Sequence, residues 1–141
     1  MGKDAMQGQV TFGEMEEVVF GKPVSDATPA LLDRLGASRV FIMCSGTLNR
    51  ETSAVSDLAD ALGDKVTGIF DEMPAHTPRK AVIEATNAAR KAQADLILTI
   101  GGGSVTDGAK AVQLCLANDI YDAAAMDALR CLLYTSPSPR D

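Results

Sequence analysis

The stretch LILTIGGGSVTDGAK, residues 96–110, constrains this chain more than any other part of it. Leu96, Ile97, Leu98, Thr99 and Ile100 form a nearly continuous apolar run of the kind found in a parallel strand buried on both faces. Val105, Ala109, Val112 and Leu116 then recur at helical spacing, so a strand turns sharply into a helix. Gly101, Gly102 and Gly103 lack Cβ atoms, which lets the turn use positive φ and lets a ligand approach the backbone; Ser104 is placed to cap the helix. The first helical N–H groups have no internal partner and sit at the positive end of the helix dipole, where phosphate is the obvious guest. A tight turn that binds nothing is the alternative, although one glycine would suffice for turning.

Two familiar phosphate signatures fail. Gly103 and Gly108 have the first spacing of a P-loop, but Ala109 stands where lysine is required and Lys110 where serine or threonine would bind magnesium. Counted from Gly101, the dinucleotide pattern G-x-G-x-x-G meets Thr106 at its last glycine.

The 141 residues suit one domain with a real core, and 13 basic against 19 acidic residues give a net charge of −6. Without a basic run or much aromatic content, a nucleic-acid groove or an anionic membrane is not the expected partner. No apolar stretch of about 18 residues could span a bilayer and the first ten residues have no signal-peptide core, so a cytoplasmic location is expected. The three cysteines form no C-x-x-C pair; Cys44 ends a strand, Cys115 lies on a helix, and both read as packing residues.

Periodicity along the chain predicts a strand over 17–21, then a helix capped by Thr28, with Pro29 in its first turn and Gly36 closing it. A strand over 39–45, a helix over 51–62 and a strand over 65–70 follow. Thr77-Pro78 repeats the cap-plus-proline device and opens a helix through Ala92, before the strand over 95–100 that feeds the glycines. This alternation predicts an α/β fold, a mostly parallel Rossmann-like sheet with flanking helices and right-handed crossovers. Ligands of such sheets bind beyond the carboxyl ends of the strands, where Ser45-Gly46-Thr47, the loop 71–77 and the triple glycine all fall.

Residues 131–141, CLLYTSPSPRD, back-translate into a stretch that resembles a common transposase sequencing adapter. They are expected to be a non-native tail that packs against nothing. The native domain is then residues 1–130, stopping inside a helix or the start of one suggested by YDAAAMDALR.

Taken together, VVFGKP at 18–23, the strand ending MCSGT, HTP at 76–78 and IGGGSVTDGAK resemble the front domain of the iron-containing alcohol dehydrogenase family, which includes maleylacetate reductases. The resemblance covers residues 9–130, and its most specific element is G-G-G-S-x-x-D-x-x-K. It implies a front domain that binds the pyrophosphate of NAD or NADP. It further implies a helical second domain, outside this chain, holding iron or zinc, a small alcohol or carbonyl substrate, and a homodimeric parent protein. Carried over by position, Gly101, Gly102, Gly103 and Ser104 would cradle the pyrophosphate, with Gly102 the position where a Cβ is expected to block the approach. Asp107 and Lys110 also match the motif, either as ligand-binding groups or as an intrahelical ion pair on a solvated face. Ser45 falls where many family members place an acidic residue against the adenosine ribose, so NADP stays open beside NAD. His76, the sole histidine, is either a surface residue or a group reaching toward the nicotinamide end; alone it cannot hold a metal, and the chain by itself is expected to be inactive. Dehydroquinate synthase-like lyases, sugar-phosphate dehydrogenases and a non-catalytic nucleotide-binding module are the alternatives.

Overall fold

Strand β3 (Val40–Cys44) is the axis of the molecule, with all five residues buried. Successive side chains of a strand point to opposite faces, and the two faces of β3 organise two cores. Phe41 and Met43 join Val82, Ala85 and Ala89 of helix α4 (Arg79–Lys91) and Val105, Val112 and Cys115 of helix α5 (Gly103–Ala117). On the other face Val40, Ile42 and Cys44 meet Leu32 of helix α1 (Val24–Leu35) and Val55, Leu58 and Leu62 of helix α3 (Ala54–Leu62). The structure, a computed structural model, describes residues 8–10 and 17–129. The expected tail of residues 131–141 lies outside the described residues.

Strands β4 (Val66–Phe70) and β5 (Leu96–Ile100) both pair with β3 in parallel, in the order β4-β3-β5. The two crossovers place α3 on one face and α4 on the other, giving the expected α/β sheet with flanking helices. A separate two-stranded antiparallel ribbon joins β1 (Gly8–Val10) to β2 (Val18–Phe20). One expectation about the sheet is corrected: β5 is half-buried, because it is an edge strand among the described residues, and the strand buried on both faces is β3.

Helix starts also depart from the sequence reading. Helix α1 begins at Val24, four residues before Thr28, and carries Pro29 in its interior. Thr28 does not cap it; its hydroxyl donates to the Val24 carbonyl at 2.6 Å. The helix expected over 51–62 is two helices, α2 (Gly46–Glu51) and α3. The break at Thr52-Ser53 is hydroxyl chemistry: Thr52 Oγ1 donates to the Leu48 carbonyl at 2.6 Å and Ser53 Oγ donates to Asp57 at 2.8 Å. Pro78 flanks α4 rather than opening its first turn, and the Thr77 hydroxyl caps nothing on that helix, donating instead to the Ser104 carbonyl at 3.3 Å. The segment suggested as a helix near the end is a short 3₁₀ turn, Ala125–Ala128. Among the described residues no helix is long and apolar enough to cross a membrane.

Candidate functional site

The parallel register brings the carboxyl ends of all three strands to one edge, and a cleft of about 570 Å³ opens there. Ser45 follows β3 and its amide donates to the Ile100 carbonyl at 2.9 Å, drawing the end of β3 against the glycine turn that follows β5. Gly101 adopts φ +153°, and a Cβ there would lie 3.0 Å from Val105 Cγ2 and 3.3 Å from both the Ser45 Cβ and its amide nitrogen. Gly101 is therefore required by backbone conformation and by close approach together. Gly102 and Gly103 differ: a Cβ at either meets nothing within 4 Å, and Gly102 has φ −91°. The positive φ expected across the turn thus falls on Gly101, and Gly102 is a window onto the cleft.

Gly102, not Ser104, is the N-cap of α5, and no side chain caps this helix. Ser104 lies in the first turn, half-buried, where it lines the cleft. The leading N–H groups of this 15-residue helix consequently have no side-chain acceptor at the positive end of its dipole. Ser45, Gly102, Gly103 and Ser104 line one cleft, and Gly101 packs directly on Ser45.

His76 is exposed and sits one residue past Ala75, which lines the cleft. His76 and Thr77 both take left-handed φ, +66° and +48°. Two consecutive non-glycine residues in that region cost about 1–3 kcal/mol each, and β-branched Thr77 is the less tolerant. The Thr77 bond to Ser104 ties this strained loop to the start of α5. Met73 adds a second tie: a Cβ on Gly108 would meet Met73 Cε at 2.8 Å and its sulfur at 3.0 Å, so the thioether rests on the bare flank of α5.

Asp107 and Lys110 do not reach the cleft. They form an i,i+3 pair at 3.8 Å with both side chains more than two-thirds exposed, and Lys110 borders the groove between α5 and the open edge of β5. A solvated ion pair of this kind is worth little.

Thr47 and the loop 71–77 stand at the ligand edge as the sequence placed them, and the structure adds Arg50, which the sequence reading did not single out. Thr47, Arg50, Asp71, Glu72 and Met73 line the cleft. Asp71 accepts the Asn49 Nδ2 amide at 2.9 Å and stands 3.5 Å from Arg50 Nη1, linking α2 to the end of β4. Its charge reaches the end of β3: burial first, then Asp71, pushes the Cys44 thiol up from its ordinary value. The position of Asp71 just after β4 was the available signal, since strand ends meet at the ligand edge; Arg50 gave none, because the helix was expected to start one residue later. Cys44 and Cys115 are both buried, as packing residues should be. Among the described residues no three His, Cys, Asp or Glu side chains gather as metal ligands.

Comparison with known proteins bears on this geometry. The family model for iron-containing alcohol dehydrogenase matches residues 16–136. The chain is 36% identical over 113 residues to dehydrogenase FUM7 of Gibberella moniliformis, covering 79% of this chain and 26% of that protein. It is 41% identical over 97 residues to maleylacetate reductase 2 of Cupriavidus pinatubonensis, covering 69% and 26%. The crystal structure of maleylacetate reductase from a Rhizobium species superimposes with a TM-score of 0.60 at 34% identity, over 67% of this chain and 26% of that one. The chain thus spans about a quarter of the length of the relatives it matches. With a family match across most of its length and a parallel sheet that superimposes on a relative's, the chain belongs to the iron-containing alcohol dehydrogenase family.

Proposed function

We propose that the chain is the nicotinamide-dinucleotide side of an oxidoreductase whose whole form moves a hydride between NAD(P) and an alcohol or carbonyl substrate. One observation carries the reading: Gly102 and Gly103 are open to the cleft just where the uncapped N-terminus of α5 presents its N–H groups. Those two features fit a pyrophosphate, which needs close backbone approach and donors that carry no compensating acceptor. Gly102, Gly103 and Ser104 would hold it through main-chain N–H groups, with Gly101 setting the turn. A bound nicotinamide supplies the hydride chemistry. The strained loop bearing His76 borders the same cleft.

The described residues do not fit a metal ion, because the one histidine has no companion ligands around it. The maleylacetate reductases among the relatives favour a carbonyl-containing substrate reduced by the dinucleotide.

Calorimetry of the 141-residue chain with NAD⁺, NADP⁺ and ADP-ribose tests the reading. Saturable binding of ADP-ribose is the expected result, with no alcohol oxidation on addition of iron or zinc. Absence of binding by all three in a folded sample would overturn the site, and turnover by this chain alone would overturn the division of labour.

A further inference from the structure

Strand β5 presents an open edge, because β3 is its one partner among the described residues. That edge carries none of the devices that keep a sheet from pairing further: Leu96–Ile100 contains no glycine, proline or charge and pairs with β3 in unbroken register. The opposite edge differs, since β4 contains Gly68 and shifts register against β3 between Val40 and Phe41. A groove of about 470 Å³ opens between β5 and α5, lined by Leu96, Ile97, Thr99, Ala109 and Leu116 among others. Lys110 is the one cation on this groove among the described residues, and at 71% exposure, beside Asp107 of its own helix, it stands at the rim.

Two bonds fix which main-chain groups face outward. The Ile100 carbonyl accepts the Ser45 amide at 2.9 Å and the Leu96 amide donates to the Arg39 carbonyl at 3.4 Å, so both residues turn their main-chain groups toward β3. These groups alternate in direction along a strand; Leu98 therefore also turns inward, and Ile97 and Thr99 face the open side. An antiparallel copy of the same strand, related by a two-fold axis at Leu98, sets Ile97 opposite Thr99, and each such pair exchanges both of its N–H···O=C bonds. On the face toward α1 and α3, Leu96 then meets Ile100 and Leu98 meets itself, apolar against apolar. Charge agrees as well: Asp95 comes opposite Gly101, just before the N-cap of the second copy's α5, so a carboxylate meets the positive end of a helix dipole at each end of the ribbon. A slip of one residue would oppose outward groups to inward ones, and a slip of two would shorten the overlap. We propose that the β5 edge is a self-association surface, on which a second copy of this chain adds its own β5 as an antiparallel strand and makes one continuous sheet across a two-fold axis.

The test is sedimentation of the 141-residue chain across a concentration series, with amide hydrogen exchange followed by NMR at both ends of the series. A monomer–dimer equilibrium with a Kd of about 10–100 μM is expected, since an interface of one added strand lies at the small end of specific contacts. The Ile97 and Thr99 amides should exchange quickly in the monomer and slow as the dimer fills, whereas the Leu98 amide, turned toward β3, stays protected throughout. Thr99 is exposed, and Thr99→Lys should weaken association about tenfold or more by setting a charge against Ile97 of the second copy. Thr99→Pro, which removes an outward N–H and no bond to β3, should act in the same direction, with circular dichroism checking the fold of both variants. A chain that stays monomeric throughout the series, or a dimer that both folded variants leave intact, overturns the proposal. So does a monomer whose Ile97 and Thr99 amides are already protected, because another segment of the same chain would then occupy the edge.

Discussion

At the amino edge of the sheet, Asp95 accepts the amides of Arg39 at 2.9 Å and Ser38 at 3.0 Å, and the Ser38 hydroxyl at 2.9 Å. The Arg39 guanidinium in turn donates to the carbonyls of Gln93 and Ala92, at 2.9 and 2.7 Å, closing the end of α4. At the carboxyl edge of the same strands the pattern reverses: Gly102 and Gly103 face open space, α5 has no side-chain cap, and His76 and Thr77 are held in left-handed backbone. The first edge satisfies its polar groups internally and the second leaves donors for a guest. A sheet can carry strain and unmet hydrogen bonds at one end because the other end, and the cores around β3, hold it together.

Substitutions that separate the two edges test that comparison, and Gly101→Val should have the largest effect. At φ +153° and 3.0 Å from Val105, a branched side chain is incompatible with the turn. A loss of about 1–3 kcal/mol in urea unfolding is expected together with loss of ADP-ribose binding. Gly102→Val should divide those effects: with φ −91° and nothing within 4 Å, stability falls by less than about 1 kcal/mol while binding is lost. Equal binding by Gly102→Val and the unsubstituted chain would mean that the cleft does not use this window.

The amino edge should respond to pH and not to ligand. The amide of Arg39 first, then that of Ser38, holds the Asp95 carboxyl below its ordinary range. A carboxylate whose folded pKa is depressed contributes stability above its unfolded pKa, about 3.9, and that contribution disappears as pH falls through the folded value. Asp95→Asn should therefore lower stability at neutral pH, flatten the stability loss below about pH 4 and leave dinucleotide affinity unchanged, as measured by urea midpoints across pH. The smallest effect belongs to Lys110→Ala, a few tenths of a kcal/mol in stability, because its pair with Asp107 is solvated. A large binding loss in Lys110→Ala would instead show that Lys110 swings to the cleft when a ligand arrives.

The strand-helix alternation was legible because burial imposes a period on the sequence, and β3, β4, α4, β5 and α5 all stand where that period placed them. Boundaries were less legible wherever hydroxyls and prolines have more than one use. Thr28-Pro29 and Thr77-Pro78 share the residues of a helix start, yet Thr28 turns its hydroxyl back to Val24 inside α1 and Thr77 sends its own to Ser104 across the loop. Nothing local distinguishes them. In the site, glycine spacing identified the turn, but not which glycine bears the positive φ, since that depends on Ser45 and Val105 arriving from elsewhere. Arg50 and Asp71 are 21 positions apart in sequence and meet only because β3 and β4 are parallel neighbours.

The contact between Met73 and Gly108 also gives the molecule a chemical age. Thioethers oxidise to sulfoxides, which are larger and strongly dipolar, and access governs which methionine goes first. Met43 is wholly enclosed beneath α4 and α5, whereas Met73 is only half-buried, at the rim of the cleft. An added oxygen on Met73 has little room against α5, so oxidation of this thioether would unfasten the loop that carries His76 while Met43 in the interior stays protected.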